Sequence, residues 1–333
     1  MTAETYTFLD SELESPLFNA PGLINGTETR GILRDVEELS GTAIGGITVG
    51  SITVPFQGGN AVVYGEPTYH YDPNTGLMVN SMGLPNVGIE TASTLVDEIH
   101  DIAGDKPVIF SVSPTLPNSE IGGPVEQSRE LLRRFFDAGA RIVELNVSCP
   151  NVVTDDGGRK PILGHDFESM AAIADMIVDE FDEEDIFIGV KMPPYRSVSE
   201  IEVQRNIGRV LNDGVIDYIA TSNTIPGGQP VNEHGENILT VPNGIGGMSG
   251  PATKTEGRAQ LSSWKSLVMD NILVLGCTPV PIMSTLGIYN GEEMQVRRML
   301  GADVVSMNTR LWNSTNWKAT VSEILAEFAE FES

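Results

Sequence analysis

The stretch QSRELLRRFFDAGARIVELNVSCPNV, residues 127–152, decides the fold. Its first half, QSRELLRRFFDAGA, has helical spacing. Its second, IVELNVS (142–148), alternates Val143, Leu145 and Val147 with Glu144 and Asn146 in a short run rich in β-branched residues, which reads as a strand. Pro150 stops that strand. The pairing recurs along the chain. Apolar strand-like runs fall at 17–22, 42–54, 77–83, 108–114, 142–148, 187–194, 218–224, 280–287 and 304–309. Segments of helical period such as RGILRDVEEL, DFESMAAIADMIVDEF and EIEVQRNIGRVLNDG separate most of them. This alternation implies a parallel sheet, and at about eight strands a closed α/β (β/α)8 TIM barrel is favoured over an open doubly wound sheet. No linker or low-complexity segment interrupts the series. Residues 1–333 are therefore expected to form one domain, with an N-terminal extension over about 1–15 and a hairpin insert over about 55–77 that turns at DPNTG.

Polar residues gather at the C-terminal ends of the runs: Asn19, Asn80, Ser113, Asn146, Lys191, Asn223 and Asn308. A barrel brings such ends to one mouth, where active sites are built, whereas an open sheet scatters them. Four segments stand out. NSMGLPN (80–86) breaks a strand into a Gly-Pro turn whose backbone N–H groups suit a carboxylate. ELNVSCPN offers Asn146, Cys149 and Asn151, GVKMPPY sets Lys191 alone in an apolar strand, and TSNT offers Asn223 and Thr224. A lysine in such a strand is rarely buried without an anion or a cofactor to meet it. Taken singly, each has a bland alternative: a turn, a core cysteine filling a gap, a satisfied core amide. Four together at the strand ends of one barrel favour chemistry.

The totals narrow the classes. The cysteines, Cys149 and Cys277, lie far apart and neither has CxxC company, so a reducing cytoplasm is expected. No apolar run approaches the ~18 residues of a membrane span, and the acidic N-terminus does not read as a secretory signal. The four histidines are scattered without ligand spacing, and no metal is expected. Dinucleotide binding lacks its GxGxxG fingerprint. With 46 acids against 20 bases the net charge is −26, which disfavours nucleic acid and anionic membranes. The acids are dispersed, as on halophilic proteins, although an acidic mesophile protein would also read this way. Molar salt, with a Debye length of ~3 Å, would relieve their repulsion.

Together NSMGLPN, ELNVSCPNV and GVKMPPY resemble the dihydroorotate dehydrogenase family, from FNAPG near the start to MNTRLW near the end. The first and third segments are similar to class 1A, GGMSGPATK (246–254) is more similar to class 1B, and Cys149 matches the class 1 cysteine base. The resemblance implies an FMN-containing barrel that oxidises dihydroorotate to orotate in pyrimidine synthesis, a homodimer, and fumarate as the soluble electron acceptor. It implies Cys149 as proton acceptor, on a loop, SCPNVVTDDGGRKP, that acts as a lid, and Lys191 near flavin N1 and O2. The amides of Asn80, Asn146, Asn151 and Asn223, with Thr224, would hold the pyrimidine, and the backbone of Met82, Gly83 and Leu84 its carboxylate. FMN would contact Ala20, Pro21, Gly22, Gly50, Ser51, Asn146, Lys191, Ser222, Ser249, Gly250, Leu286, Gly287, Asn308 and Thr309.

The chain departs from the pattern in places. The family strand ITKS reads TVGS here, so Gly50 stands where class 1 has a lysine. Class 2 places its lysine in a segment that here reads APGLING. The phosphate-loop sequence GTGGI reads STLGI (284–288), and Asn308-Thr309 replaces Gly-Thr. Leu286 and Asn308 add side chains at that end, where Ser284 and Asn308 are expected as donors. The alternatives are a related flavin barrel acting on another cyclic amide such as a dihydropyrimidine, and a degenerate barrel that binds without turnover.

Overall fold

A computed structural model of the protein describes residues 5–114, 122–149, 161–181, 185–211 and 214–332. The chain opens with a hairpin, β1 (Tyr6–Phe8) and β2 (Ser11–Leu13). Then come β3 (Leu17–Asn19), α1 (Thr29–Ser40), β4 (Ile47–Ile52), α2 (Asn60–Tyr64), β5 (Tyr69–Asp72) and β6 (Leu77–Asn80). Helices α3 (Ile89–Ala92) and α4 (Val96–Ala103) precede β7 (Val108–Val112), and α5 (Pro124–Asp137) leads into β8 (Ile142–Asn146). Helix α6 (Phe167–Phe181) leads into β9 (Phe187–Lys191), and α7 (Val198–Val210) into β10 (Tyr218–Ala220). After β11 (Ile225–Gly228) and β12 (Gly246–Ser249) come α8 (Lys254–Leu275), β13 (Ile282–Ser284), α9 (Gly291–Met299), β14 (Val304–Met307), α10 (Thr309–Trp312) and α11 (Trp317–Glu332).

Eight strands form one parallel sheet in the order β3-β14-β13-β10-β9-β8-β7-β4. The two ends meet where Phe18 bridges Gly46, so the sheet is a nearly closed (β/α)8 barrel. Side-chain size decides this seam. A Cβ on Gly45 would lie 1.8 Å from the Ser15 carbonyl oxygen, and one on Gly46 2.1 Å from the Phe18 ring. Across the seam the Asn19 amide donates to the Thr48 carbonyl at 2.7 Å and accepts the Thr48 N–H at 2.8 Å, replacing a ladder peptide.

The N-terminal hairpin plugs the barrel floor. Phe8 meets Phe18 and Tyr218 edge to face at 5.5 and 5.1 Å, in a cluster with Ile109, Ile142 and Met283. Aromatic pairs of this kind contribute about 0.5–1.5 kcal/mol beyond their buried area. The larger core lies between barrel and helices, where Phe135, Met170, Trp264 and Ile324 cover the strands. Side chains cap helix N-termini: Ser197 and Glu200 form a capping box on α7, Asn290 accepts the Glu293 N–H at 3.0 Å on α9, and Asn316 accepts the Ala319 N–H at 3.0 Å on α11. Each such cap is worth about 1 kcal/mol. Among the described residues no helix is long and apolar enough to cross a membrane.

One strand lies elsewhere than the sequence placed it. The run 77–83 supplies β6, which joins a four-stranded antiparallel sheet in the order β11-β12-β6-β5 instead of the barrel. An apolar run of this length states that a strand is buried, not which sheet buries it. Asn80 therefore approaches the site from this second sheet, not from a barrel strand end.

Candidate active site

The C-terminal ends of the barrel strands and the antiparallel sheet enclose a cavity of about 1080 Å³, its open mouth included. Ala20, Pro21 and Gly22 reach it after β3, Ser51 on β4, Asn146 and Cys149 on and after β8, and Lys191 at the end of β9. Ser222, Asn223 and Thr224 follow β10, Leu286 and Gly287 follow β13, and Asn308 and Thr309 follow β14. From the other sheet come Asn80, Met82, Gly83, Leu84, Ser249 and Gly250. The structure thus brings together every anticipated site residue it describes except Gly50. Asn151 and the remainder of the loop after Cys149, residues 150–160, lie outside the described residues.

Gly50 is not at the cavity surface. Its carbonyl accepts the Gly22 N–H at 2.6 Å and its N–H donates to Ile24 at 2.9 Å, so it braces the 20–24 loop from behind. With φ +121°, and with the Ser111 carbonyl oxygen 2.3 Å from where a Cβ would lie, the position has room for glycine alone. Gly50 thus supports Gly22, which does line the cavity. Ser284 is likewise not a donor into the cavity: it is fully buried and accepts from Arg297 at 3.0 Å.

At the Cys149 end a line of hydrogen bonds fixes the amides. Asn223 Nδ2 donates to Ser148 Oγ at 2.9 Å, Ser148 Oγ donates to Asn146 Oδ1 at 2.6 Å, and Asn146 Nδ2 donates to Ser51 Oγ at 2.8 Å. Asn146 Oδ1 also accepts the Ser148 N–H at 3.2 Å, and Asn223 Oδ1 accepts the Thr224 N–H at 2.7 Å. Both carbonyl oxygens are occupied by the protein. Each amide nitrogen has two hydrogens and spends one, which leaves an N–H donor for a ligand carbonyl. Beneath them Ser51 and Ser111 are 2.9 Å apart, and Ser111 Oγ donates to Glu144 Oε1 at 3.2 Å.

Glu144 and Lys191 are the buried charges here, and sequence reasoning singled out only the lysine. Burial pushes the Lys191 pKa down, while the Glu144 carboxylate and the Cys149 thiolate pull it up. Burial pushes the Glu144 carboxyl up, against Lys191 and the hydroxyls of Ser111 and Tyr218. The signal for Glu144 was the strand alternation itself: it shares a face with Asn146, which faces the cavity.

The opposite end is shaped by Arg297, which the sequence did not flag. It is fully buried, pairs with Glu293 at 2.6 Å, and donates to the carbonyls of Thr285 and Leu286 at 3.1 and 2.9 Å. In a trans peptide the carbonyl and the next N–H point oppositely. The N–H groups of Leu286 and Gly287 therefore turn away from Arg297, on two residues that line the cavity. Leu286 adopts φ +61° there. Among the described residues three buried atoms on the cavity lining have no hydrogen-bond partner: Asn308 Oδ1, Ser306 Oγ and Thr224 Oγ1. Unsatisfied buried polar atoms are costly, so a bound polar group suits this cavity. Its size and neutral donors suit a flavin mononucleotide, whose phosphate Leu286, Gly287, Asn308 and Thr309 would hold and beside whose ring Lys191 would lie.

The family profile described as Dihydroorotate dehydrogenase matches residues 4–330. The chain belongs to the dihydroorotate dehydrogenase family. Among members of this family, it is 30% identical over 308 residues to the dihydroorotate dehydrogenase (fumarate) of Trypanosoma brucei brucei, covering 91% of this chain and 86% of that protein. It is 28% identical to the enzyme of the same description from Saccharomyces cerevisiae, over 93% of this chain and 88% of that one. It is 26% identical to dihydroorotate dehydrogenase A (fumarate) of Lactococcus lactis, over 92% and 87%. A crystal structure of the Eimeria tenella dihydroorotate dehydrogenase in complex with ferulenol superposes with TM-score 0.71 at 17% identity, covering 96% of this chain and 82% of that one, and shares the fold.

Proposed function

We propose that this chain oxidises dihydroorotate to orotate for pyrimidine synthesis, with FMN as its prosthetic group and fumarate as the electron acceptor. One observation carries the reading: Cys149 and Lys191 share a cavity with the oriented amides of Asn146 and Asn223, with Asn80 opposite. FMN, when bound, supplies the hydride acceptor. The protein supplies the rest. As one ring carbon gives up its hydride, the Cys149 thiolate would take the proton from the neighbouring ring carbon and become the thiol, a role that suits cysteine because its pKa can be lowered toward neutrality. The amide N–H groups of Asn146 and Asn223 hold ring carbonyls, the backbone at Met82, Gly83 and Leu84 receives the carboxylate, and Asn80 and Asn151 complete the ring's partners. Lys191 would offset negative charge that builds on the flavin.

The same reading takes the chain as one domain, a cytoplasmic homodimer. The charge of −26 supports a salty cytoplasm as its setting.

A second reading is favoured by one observation: among the described residues Lys191 is the one charged side chain lining the cavity. A neutral dihydropyrimidine would need no further cation. The test is the visible spectrum of the purified protein before and after anaerobic dihydroorotate or dihydrouracil. A yellow protein bleached by dihydroorotate supports the first reading. Bleaching by dihydrouracil in preference supports the second, and a colourless protein that takes up no FMN overturns both.

A further inference from the structure

Glu144 and Lys191 sit one step apart on the barrel's inner face. Asn146 pairs with Lys191 in the β8–β9 register, and Glu144 pairs with Gly189 two residues below. Gly189 has no side chain, and the Tyr218 ring fills that space: a Cβ at 189 would lie 2.1 Å from it. Ser111, Glu144, Gly189 and Tyr218 thus form one layer across β7, β8, β9 and β10. Within it Glu144 accepts at both oxygens, from Ser111 Oγ at 3.2 Å and Tyr218 OH at 3.3 Å.

The hydrogen bonds have a direction. Ser111 has one hydroxyl hydrogen and spends it on Glu144, so Ser51 must donate to Ser111. Asn146 then donates to Ser51, Ser148 to Asn146, and Asn223 to Ser148. Every donor from Asn223 downward points toward Glu144. A carboxylate accepts at both oxygens and ends such a chain; a neutral carboxyl would instead donate at one oxygen, to Ser111 or to Tyr218. A buried carboxylate of this kind requires a nearby cation. The titratable groups that face Lys191 are Glu144 and Cys149, and those that face Glu144 are Lys191 and, from β10 across Gly189, Tyr218.

We propose that Glu144 is a positioning residue whose ionised carboxylate keeps Lys191 protonated at the cavity floor and is the terminal acceptor of the hydrogen bonds that hold Asn146 and Asn223. Its value to catalysis rests on the flavin reading above; its effect on Lys191 does not. The competing arrangement is a neutral pair, in which burial has discharged both groups.

The test follows Lys191 in the full-length protein as isolated. Lysines are few (Lys106, Lys160, Lys191, Lys254, Lys265 and Lys318), so ¹³Cε-lysine NMR titration resolves them, with Lys191→Met assigning the signal. In Glu144→Gln the Lys191 midpoint should fall by about one pH unit or more, a loss of about tenfold in proton affinity, because the opposite charge is gone while burial remains. Glu144→Asp should recover most of that fall, which a merely space-filling role would not predict. A midpoint unchanged or raised in Glu144→Gln overturns the proposal, as does a wild-type Lys191 that is neutral at pH 7. Should Glu144→Gln fail to fold, Lys191→Met gives the reciprocal result: the protonated-carboxyl infrared band of Glu144 should appear at neutral pH, and its absence overturns the proposal. Failure of dihydroorotate to bleach the protein would sink the functional reading and leave these titrations standing.

Discussion

Replacing Gly50 by alanine tests how the protein holds the 20–24 loop at the cavity wall. The added Cβ would meet the Ser111 carbonyl oxygen at 2.3 Å, backbone against backbone, so one of two barrel strands must move. A side chain held at φ +121° costs about 1–3 kcal/mol, and forcing an atom into a packed site costs about 1–3 kcal/mol more. The sum, about 2–6 kcal/mol, is a large share of the 5–15 kcal/mol typical of a folded domain. The damage should be local first, since Gly50 holds Gly22 and Ile24 through hydrogen bonds of 2.6 and 2.9 Å. Urea unfolding and FMN retention together measure it: Gly50→Ala should unfold at clearly lower urea and release FMN more readily. Gly50→Lys should be worse and should not tighten orotate, because position 50 does not open on the cavity. An alanine variant with the parent's urea midpoint and flavin content would refute the argument.

Cys149→Ser should retain FMN but reduce it about 10²–10⁴-fold more slowly at pH 7, with partial recovery as pH rises, in stopped-flow traces with dihydroorotate. Lys191→Ala should slow the same half-reaction by a hundredfold or more, the effect of losing about 3 kcal/mol of preorganised charge; an unchanged single-turnover rate would contradict its role. Arg297→Met leaves Glu293 buried beside one fewer cation and frees the 285–286 carbonyls, so it should cost about 3–5 kcal/mol in urea unfolding and weaken FMN retention. The melting temperature should rise from dilute buffer to molar KCl as salt screens the charge of −26, and a flat or falling curve would reject the halophile reading.

The barrel was legible because each βα unit carries two periods, and eight repeats leave few topologies. Its seam and floor were not. Gly45 and Gly46 looked like ordinary strand glycines, yet they let Ser15 and Phe18 approach and close the sheet. The acidic N-terminal segment read as an extension, but Phe8 and Leu13 within it enter the inner cluster. The strands β11 and β12, IPGG and GGMS, are too rich in glycine to show a strand period, so half of the antiparallel sheet went unseen. Most of the residues singled out in the motifs do line one cavity, since the barrel strand ends converge and the antiparallel sheet lies over them. Arg297 escaped notice because a charged residue in the segment EEMQVRRMLGA looks solvated, and only the fold shows that it supports a loop from inside.

These unread residues explain how a chain so acidic can offer a site to anions. Lys191 is the one charged side chain lining the described cavity, and Glu144 answers its charge from below. A phosphate or a carboxylate bound here must be held largely by neutral donors: N–H groups at Leu286 and Gly287, and the side chains at the barrel mouth. Neutral donors bind anions well only when they are already aimed, because each then costs no reorganisation. The groups that aim them lie outside the cavity surface: Arg297 behind the 285–287 loop, Gly50 behind Gly22, and Glu144 at the end of the line from Asn223. Substitutions at these three positions should therefore weaken ligands that they never touch.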